Sequence, residues 1–278
     1  MKNKNEYLAK GFINVDDAKD KNLYIKCLNY IDEIPYFKEI KTKTYTLLKL
    51  SEATSVLEIG CGVGNDVYRM ALRLPPKGHI IGIDSSTFMI EKAQTNKMFK
   101  HGKNIQFSVE DGRSLPYSSF SFDRCRIDRT LQHIVNPDKV VSEVYRVLKP
   151  GGIFVVFDND WSSFSLSLSD KRLSRIIENY WCDAFVNGRI GCQLKAFFVK
   201  AGFEVIGLYP STLILDDFEV ANRVYDIEQT IKNAYSDGLL NSLEVENILQ
   251  ECRIQTKERG FQCSLTSYTI IGDKVKDF

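Results

Sequence analysis

The stretch that decides the fold is Val56-Leu57-Glu58-Ile59-Gly60-Cys61-Gly62-Val63-Gly64, which runs from residue 56 to residue 64. A short apolar segment of strand character leads into three glycines spaced G-x-G-x-G, and a helical pattern begins directly after them. Glycine lets the chain turn sharply and lets a bound molecule approach the main chain closely. A tight strand-to-helix turn without a ligand uses the same residues, so the loop alone is weak evidence for a nucleotide-like ligand.

The spacing of these glycines differs from the dinucleotide-binding pattern G-x-G-x-x-G, in which a pyrophosphate lies at the helix N-terminus. Asn65 occupies the position of the third dinucleotide glycine, and Asp66 follows it in the first helical turn. A carboxylate there repels a pyrophosphate. The pattern therefore favours a ligand without phosphate, although a nicotinamide-dependent oxidoreductase stays open as an alternative.

Two carboxylates follow the next two predicted strands. Asp84 ends the second strand, 20 residues after Gly64, where a carboxylate can hold the hydroxyls of a ribose. Asp111, with Gly112 after it, follows the third strand and can accept a hydrogen bond from an adenine amino group. The alternatives are a helix cap for Asp84 and a simple Asp-Gly turn for Asp111.

Strands and helices alternate from residue 55 onwards. The first five predicted strands are short and nearly continuous in apolar residues, and they span residues 55–59, 79–83, 105–109, 122–127 and 153–157. Such strands are typical of a parallel sheet that is covered on both faces. The second half is less regular, with helices expected at residues 170–182, 190–201, 217–234 and 242–258 and strands at 201–206 and 264–271. The alternation predicts an α/β doubly wound fold.

The stretch from Ser55 to Phe157 resembles the class I S-adenosylmethionine-dependent methyltransferases, and within them the ubiquinone/menaquinone-biosynthesis-like branch, which methylates many small molecules. The resemblance rests on Glu58 with the glycine loop, Asp84, Asp111-Gly112, the stretch from Leu115-Pro116 to Phe122-Asp123, and the turn from Val147 to Gly152. It implies a seven-stranded, mostly parallel, Rossmann-like sheet with an antiparallel last strand. It also implies S-adenosyl-L-methionine as the cofactor and methyl transfer as the activity.

The resemblance further implies roles for individual residues at the cofactor. The three glycines line its methionyl part, Asp84 holds the ribose, Met89 packs near the adenine and Asp111 meets the adenine amino group. The full set of predicted cofactor-binding residues is Glu58, Gly60, Cys61, Gly62, Gly64, Asp84, Ser85, Met89, Asp111, Gly112, Asp128 and Arg129.

His133 is the candidate catalytic residue. Methyl transfer from a sulfonium mainly needs positioning and desolvation, but an oxygen or nitrogen acceptor can also need a base. His133 follows the fourth strand, and the ordinary pKa of histidine is near neutrality, so we predict it as that base. A structural role at the start of a helix is the alternative.

A metal site is a second alternative at the same edge of the sheet. Asp128 together with Asp158-Asn159 is similar to the Mg²⁺ ligands of the catechol-type O-methyltransferases, because oxygen atoms are the ligands that Mg²⁺ prefers. The surrounding sequence is otherwise unlike that group, so no metal is predicted.

The chain divides into four segments. We expect an N-terminal helical lid (1–50), a cofactor-binding α/β core (51–216), a helical insertion that forms a substrate cap (217–260) and the final strand of the core (261–278). Lid and cap are rich in aromatic residues. They are expected to wall a pocket beside His133 and the turn from Asp158 to Trp161, for a small or medium organic acceptor that is partly apolar or aromatic.

The charge balance argues against a nucleic-acid substrate. The chain has 37 basic and 36 acidic residues, whereas proteins that hold a nucleic-acid backbone usually carry a basic excess. The best local basic patch consists of Lys92, Lys97, Lys100 and Lys103, which an exposed helix face explains better.

The cysteines and the apolar runs indicate a cytoplasmic protein without a membrane span. The seven cysteines contain no C-x-x-C pair, which favours free thiols in a reducing compartment. No secretory signal is visible, and the longest apolar runs are too short to cross a bilayer. A non-catalytic protein that binds S-adenosylmethionine stays open as a further alternative.

Overall fold

The fold is built on one sheet, and the first four of its strands are short. The computed structural model describes residues 7–96 and 104–275. The strands are β1 (Ser55–Ile59), β2 (His79–Asp84), β3 (Ile105–Val109), β4 (Phe122–Asp128), β5 (Leu148–Asn159), β6 (Ser165–Leu166), β7 (Glu204–Leu215) and β8 (Cys263–Asp273). Three lysines of the candidate basic patch, Lys97, Lys100 and Lys103, lie outside the described residues.

The strand order confirms the predicted α/β class. Neighbouring strands follow the order β3-β2-β1-β4-β5-β8, and β7 pairs with the other edge of β8. The first five strands are parallel, while β8 runs antiparallel to both β5 and β7. These seven strands form the predicted mostly parallel sheet, and the two-residue β6 adds an eighth by pairing with the start of β8.

Helices flank the sheet and form the segments at both ends of the chain. They are α1 (Leu8–Gly11), α2 (Asn22–Glu33), α3 (Pro35–Leu47), α4 (Asn65–Ala71), α5 (Thr87–Thr95), α6 (Pro137–Val147), α7 (Lys171–Asp183), α8 (Ile190–Ala201), α9 (Phe218–Tyr225), α10 (Ile227–Ser236) and α11 (Ser242–Lys257). The apolar face of α6 shows how the helices pack: Val140, Val141, Val144 and Val147 are all fully buried because they recur at helical spacing.

Three elements differ from the sequence-based expectation. The strand expected at 201–206 is β7, which begins at Glu204 and runs on to Leu215 because it pairs with β8 along its whole length. The helix expected at 217–234 is broken into α9 and α10 at Asp226, whose φ of +48° is left-handed and cannot continue a right-handed helix. β5 begins at Leu148 rather than at residue 153. Its early start follows from pairing of the turn residues, since the amide of Gly151 donates to the carbonyl oxygen of Lys274 at 2.6 Å.

Buried residues of α1, α2, the first half of α3 and the 217–258 helices share one hydrophobic cluster, which also includes strand residues such as Phe157 and Leu265. The second half of α3 packs through Tyr45 into another cluster. The buried Tyr7 hydroxyl lies 2.9 Å from the Thr230 hydroxyl and joins the two segments directly. Asp16, in the short 3-10 helix Val15–Asp17, reaches the start of α5 instead. The N-terminal segment therefore contacts both the insertion and the core.

Within residues 7–96 and 104–275, no helix has both the length and the apolar character that crossing a bilayer requires.

Candidate active site

A cavity of about 340 Å³ opens at the carboxyl ends of the parallel strands, where ligands bind in open α/β sheets. Gly60 after β1, Asp84 at the end of β2, Asp128 at the end of β4 and Asn159 at the end of β5 all line it. Residues from α1, α2, α3 and α9 line another part of its wall. The predicted cofactor residues and both predicted cap segments thus contribute to the same cavity.

The glycine loop, Gly60–Gly64, has backbone angles that glycine adopts without strain. Gly60, Gly62 and Gly64 have φ angles of +74°, +51° and +80°. The amide of Gly60 donates to the carbonyl oxygen of Ile83 at 2.8 Å, which ties the loop to β2. A Cβ at Gly60 would lie 2.2 Å from the hydroxyl oxygen of Thr130. A larger residue there would therefore displace the segment that follows β4.

Asp84 connects the glycine loop to the start of α5. Its Oδ2 accepts from the amide of Gly62 at 2.9 Å, and its Oδ1 accepts from the amide of Ser86 at 3.0 Å. The cap of α5 is made by other groups: Ser86 Oγ accepts from the Met89 amide, and the Asp16 carboxylate accepts from the first two helical amides at 2.9 and 3.1 Å. The first amides of α5 are therefore capped without Asp84.

The end of the cavity that is predicted to hold the adenine is more open. Met89 is buried and lines the wall together with Glu110 and Gly112. Asp111 lines it too, but about half of its side chain is exposed, and it accepts from the Arg113 guanidinium at 2.7 and 3.0 Å. These bonds to Arg113 lower the pKa of Asp111. Both oxygens of Asp111 therefore already accept from Arg113, and a ligand that donates to Asp111 would share these oxygens with Arg113.

A group of buried charged side chains lies next to the glycine loop. We refer to it as the charged cluster; its members are Lys41, Glu58, Asp66, Arg126, Asp128 and Arg129. The fully buried Arg126 donates to Glu58 at 2.5 Å and to Asp66 at 3.2 Å. It also donates to Asp128 at 2.6 Å, and the other oxygen of Asp128 accepts from Arg129 at 2.7 Å. One guanidinium thus holds three carboxylates.

Burial and pairing act in opposite directions within the charged cluster. Burial raises the pKa of Glu58 to about 8 against the attraction of Arg126. Burial alone would also raise the pKa of Asp66, but Lys41 and Arg126 hold it well below its usual range. Glu58, which was predicted to bind the cofactor, lies in this cluster and does not line the cavity.

The position of Asp66 changes one sequence-based argument. Asp66 does not line the cavity, and its carboxylate is neutralised by Lys41 and Arg126. The repulsion that it exerts on a pyrophosphate is therefore weaker than the sequence suggests. The remaining sequence argument against a dinucleotide is Asn65, which stands where the third glycine would be.

His133 lines the cavity as a neutral ring whose tautomer follows from its neighbours. The indole Nε1 of Trp161, which can only donate, lies 2.9 Å from one end of the Gln132 amide, so that end is the oxygen Oε1. The other end, Nε2, then donates to His133 Nε2 at 2.9 Å. The ring proton therefore sits on Nδ1. Burial and the nearby Arg129 lower the pKa of His133 to about 3.

Four aromatic side chains, Trp161, Trp181, Phe185 and Tyr225, line the cavity next to His133. We refer to them as the aromatic wall. The rings of Trp161 and Phe185 are stacked with centroids 4.4 Å apart, and Trp181 meets Phe185 edge-on at 5.3 Å. Tyr225 meets Trp161 edge-on at 5.8 Å. These rings form a continuous apolar surface, which is the usual lining of a site for a small organic ligand.

The three candidate metal ligands are already hydrogen-bonded to protein groups. Both oxygens of Asp128 accept from arginines. The buried Asp158 accepts from the amides of Gln132 and Asn159, and burial raises its pKa to about 7. The Asn159 side chain donates to Gln132 and accepts from Ser267. Among the described residues, no group of three histidine, cysteine or acidic side chains could hold a metal ion.

Most of the predicted site residues meet at the cavity. Ten of them line it: Gly60, Gly62, Asp84, Ser85, Met89, Asp111, Gly112, Asp128, Arg129 and His133. The other three, Glu58, Cys61 and Gly64, do not. Sequence reasoning missed Trp181 and Phe185, whose only signal is the amphipathic pattern of α7 and the residues just after it. It also missed Asp16, which no motif marks.

Comparison with known proteins identifies the family. A family model described as "Methyltransferase domain" matches residues 50–193, just over half of the chain. An uncharacterised 37.1 kDa protein of a Streptomyces fradiae transposon is 33% identical over 222 residues, which cover 76% of this chain and 64% of that protein. A demethylmenaquinone methyltransferase of Listeria welshimeri is 26% identical over 56% of this chain and 63% of that protein. The chain thus spans less than two thirds of the length of these curated relatives.

A solved structure confirms the fold. The crystal structure of a protein from Bacillus halodurans, described as a putative methyltransferase, superposes with a TM-score of 0.62 at 16% identity. The match covers 86% of this chain and all of that one. The predicted resemblance is confirmed at the level of the family: the chain belongs to the methyltransferase domain family.

Proposed function

We propose that this protein transfers a methyl group from S-adenosyl-L-methionine to a small or medium organic acceptor. The observation that carries this proposal is that one cavity joins the glycine loop and Asp84 to the aromatic wall. Membership of the methyltransferase domain family supports the reaction class.

The residues at the sheet edge fit the cofactor. Gly60 and Gly62 present bare backbone to the cavity, so a ligand can lie against the main chain. Each oxygen of Asp84 accepts one amide hydrogen and retains a lone pair for a ribose hydroxyl. We propose Ser85, Met89, Asp111 and Gly112 around the adenosine, and Asp128 with Arg129 between the cofactor and the acceptor. The proposed roles of Glu58, Cys61 and Gly64 are indirect, since they shape the loop.

When bound, S-adenosyl-L-methionine supplies a methyl group on a sulfonium that is already activated for transfer. The protein must then hold the acceptor atom in line with the bond between the sulfur and the methyl carbon, and it must exclude water. The aromatic wall supplies a dry surface for the acceptor. Arg129, fixed by its bond to Asp128, also lines this space.

We retain His133 as the group that acts on the acceptor. Because Gln132 occupies its Nε2, the ring offers the Nδ1 hydrogen as a donor. Such a donor orients an acceptor oxygen. His133 can serve as a base only if Gln132 stops donating its hydrogen bond to Nε2. An acceptor that needs no deprotonation therefore suits this arrangement best.

The segments around the cavity indicate the size of the acceptor. Residues 1–50 are proposed as a lid and residues 217–260 as a cap, because α1, α2, α3 and α9 contribute to the cavity wall. An acceptor enclosed in this way is a small molecule and not a nucleic acid. The oxygens of Asp128 and Asp158 are engaged, so we propose transfer without a divalent metal. All seven cysteines are free thiols, which supports a cytoplasmic location.

Isothermal titration calorimetry with S-adenosylhomocysteine and with NAD tests the cofactor proposal. We expect micromolar binding of S-adenosylhomocysteine, which corresponds to about 8 kcal/mol, and no comparable binding of NAD. Tighter binding of NAD would overturn the proposal in favour of an oxidoreductase. Transfer of label from methyl-labelled S-adenosylmethionine to a fraction of small metabolites would exclude the non-catalytic alternative.

A further inference from the structure

Three residues that line the cavity carry buried hydrogen-bonding atoms that have no partner among the described residues. The indole Nε1 of Trp181, the hydroxyl of Tyr225 and the Nδ1 of His133 are buried and form no hydrogen bond to any described residue. Trp181 and Tyr225 are each only 2% exposed. A buried polar group without a partner costs about 1–3 kcal/mol, and such groups are rare in folded proteins. All three belong to residues that line the same cavity.

These three groups are alike in that each can donate a hydrogen bond. An indole only donates, a phenol can donate, and His133 carries its hydrogen on Nδ1 because Gln132 donates to its Nε2. The amide oxygens beside them are already used. Gln132 Oε1 accepts from both Asn159 and Trp161, and Asn159 Oδ1 accepts from Ser267.

The charges that line the cavity are unevenly distributed. Arg129 lies near the acceptor side, where its guanidinium stacks over Phe37 at 4.8 Å. The carboxylates Asp84, Glu110 and Asp111 lie at the ribose and adenine end. Asp128 is the nearest carboxylate to Arg129, and both of its oxygens already accept from arginines. The aromatic wall is therefore not an acidic cage for an ammonium ion, even though aromatic rings can bind cations.

From this arrangement we infer that the acceptor is a neutral or anionic aromatic molecule whose edge carries hydrogen-bond-accepting oxygens, received by Tyr225, Trp181 and His133. A cationic amine is excluded as the preferred substrate because it would place further donors and a positive charge against these three donors and Arg129. The inference rests on the proposed function and specifies its substrate class. It makes Tyr225 and Trp181 the residues that determine specificity.

Nuclear magnetic resonance of the indole groups tests this inference, because the chain has only two tryptophans. S-adenosylhomocysteine binding is first established by calorimetry, so that failure of the proposed function is recognised separately. Three naphthalene probes of similar size are then added to the complex: 2-acetylnaphthalene, 2-ethylnaphthalene and 2-naphthylmethylammonium. The Trp181 indole resonance is assigned by its loss in Trp181→Phe.

We expect 2-acetylnaphthalene to bind at least threefold more tightly than either other probe. It should also shift the Trp181 indole hydrogen downfield, whereas the Trp161 indole, which already donates to Gln132, should shift little. Equal or tighter binding of the ammonium probe overturns the inference. So does failure of 2-acetylnaphthalene to bind more tightly than 2-ethylnaphthalene, or to move the Trp181 resonance.

Two matched variants test whether the hydroxyl of Tyr225 causes the preference for 2-acetylnaphthalene. Tyr225→Phe removes a hydroxyl without a partner and should weaken 2-acetylnaphthalene binding about three- to tenfold while leaving 2-ethylnaphthalene unchanged. Tyr7→Phe is the control, because the Tyr7 hydroxyl is buried but bonded to Thr230 and Tyr7 does not line this cavity. It should change neither affinity. Equal effects of the two variants on 2-acetylnaphthalene, or an unchanged affinity in Tyr225→Phe, would overturn the role of Tyr225. If Tyr225→Phe or Tyr7→Phe does not fold, the shift of the Trp181 indole resonance in the wild-type protein still tests the inference.

Discussion

The charged cluster and the aromatic wall differ in how their buried polar groups are paired. Asp128 and Arg129 of the cluster line the same cavity as the wall, and within the cluster one oxygen, Glu58 Oε2, has no partner among the described residues. In the charged cluster, Arg126 alone donates to Glu58, Asp66 and Asp128. In the aromatic wall, the polar atoms of Trp181 and Tyr225 have no partner among the described residues. Paired groups hold the fold, whereas unpaired donors in a cavity are available to a ligand.

This difference predicts where substitutions affect stability and where they affect binding. Removing Arg126 leaves the buried Glu58 without its cation and takes one of the cations from both Asp66 and Asp128, which destabilises the fold strongly. Removing an unpaired hydroxyl from the aromatic wall leaves nothing behind without a partner.

The largest effect is expected for Arg126→Met. The change leaves three buried carboxylates without their shared guanidinium, so the free energy of unfolding should fall by about 3–5 kcal/mol, measured by urea denaturation. Arg113→Met is the control, because Arg113 pairs with Asp111 at the surface with about 42% of its side chain exposed and should cost less than about 1 kcal/mol. Similar losses in the two variants would contradict the special role of the charged cluster.

A smaller effect, on binding, is expected for Asp84→Asn. Asp84 is proposed to hold the ribose and also accepts from Gly62 and Ser86, so affinity for S-adenosylhomocysteine should fall by about 1.5–3 kcal/mol in calorimetry. Asp111→Asn is the comparison, because Asp111 is half exposed and bound to Arg113. The loss of affinity for S-adenosylhomocysteine in this variant should be smaller. Unchanged affinity in folded Asp84→Asn would show that the carboxylate only orders the loop.

Tyr7 and Tyr225 allow a direct comparison between a buried hydroxyl that has a hydrogen-bond partner and one that has none. Tyr7→Phe removes a hydroxyl bonded to Thr230 and should lower the free energy of unfolding by about 1 kcal/mol. Tyr225→Phe should leave it unchanged or raise it slightly, because the hydroxyl of Tyr225 has no partner to lose. Thermal denaturation of both variants provides the measurement. A destabilisation of Tyr225→Phe equal to that of Tyr7→Phe would show that the hydroxyl is paired after all.

The smallest effect is a titration that we expect to be absent. Burial and Arg129 lower the pKa of His133 from 6.5 to about 3, so its ring resonances should stay constant between pH 8 and pH 5. The unfolded chain takes up this proton near pH 6.5, so proton uptake should favour unfolding as the pH falls below that value. A titration of His133 near pH 6.5 in the folded protein would restore it as a candidate base.

The glycine loop and the position of Asp84 were predictable because their determinants are local in sequence. Three glycines with positive φ between a strand and a helix, and a carboxylate at the end of the next strand, follow from the chain itself. The doubly wound fold follows in the same way from apolar strands that alternate with helices.

The acceptor side was not predictable to the same degree because its contacts join distant segments. Tyr225 meets Trp161 across 64 residues, and no short motif encodes such a contact. A local motif can also mislead. The motif predicted that Glu58 binds the cofactor, but its side chain accepts a hydrogen bond from Arg126 in the charged cluster. The break at Asp226 also escaped prediction, since the residues on either side continue the same helical pattern.

The most direct test of the central claim, that one cavity holds both cofactor and acceptor, is a crystal structure of the complex with S-adenosylhomocysteine. We expect the ribose hydroxyls to contact Asp84, the amino-acid part to lie along Gly60 and Gly62, and the sulfur to face the aromatic wall. A complex in which the ligand binds outside this cavity, or in which its sulfur points away from Trp161 and Tyr225, would contradict the account.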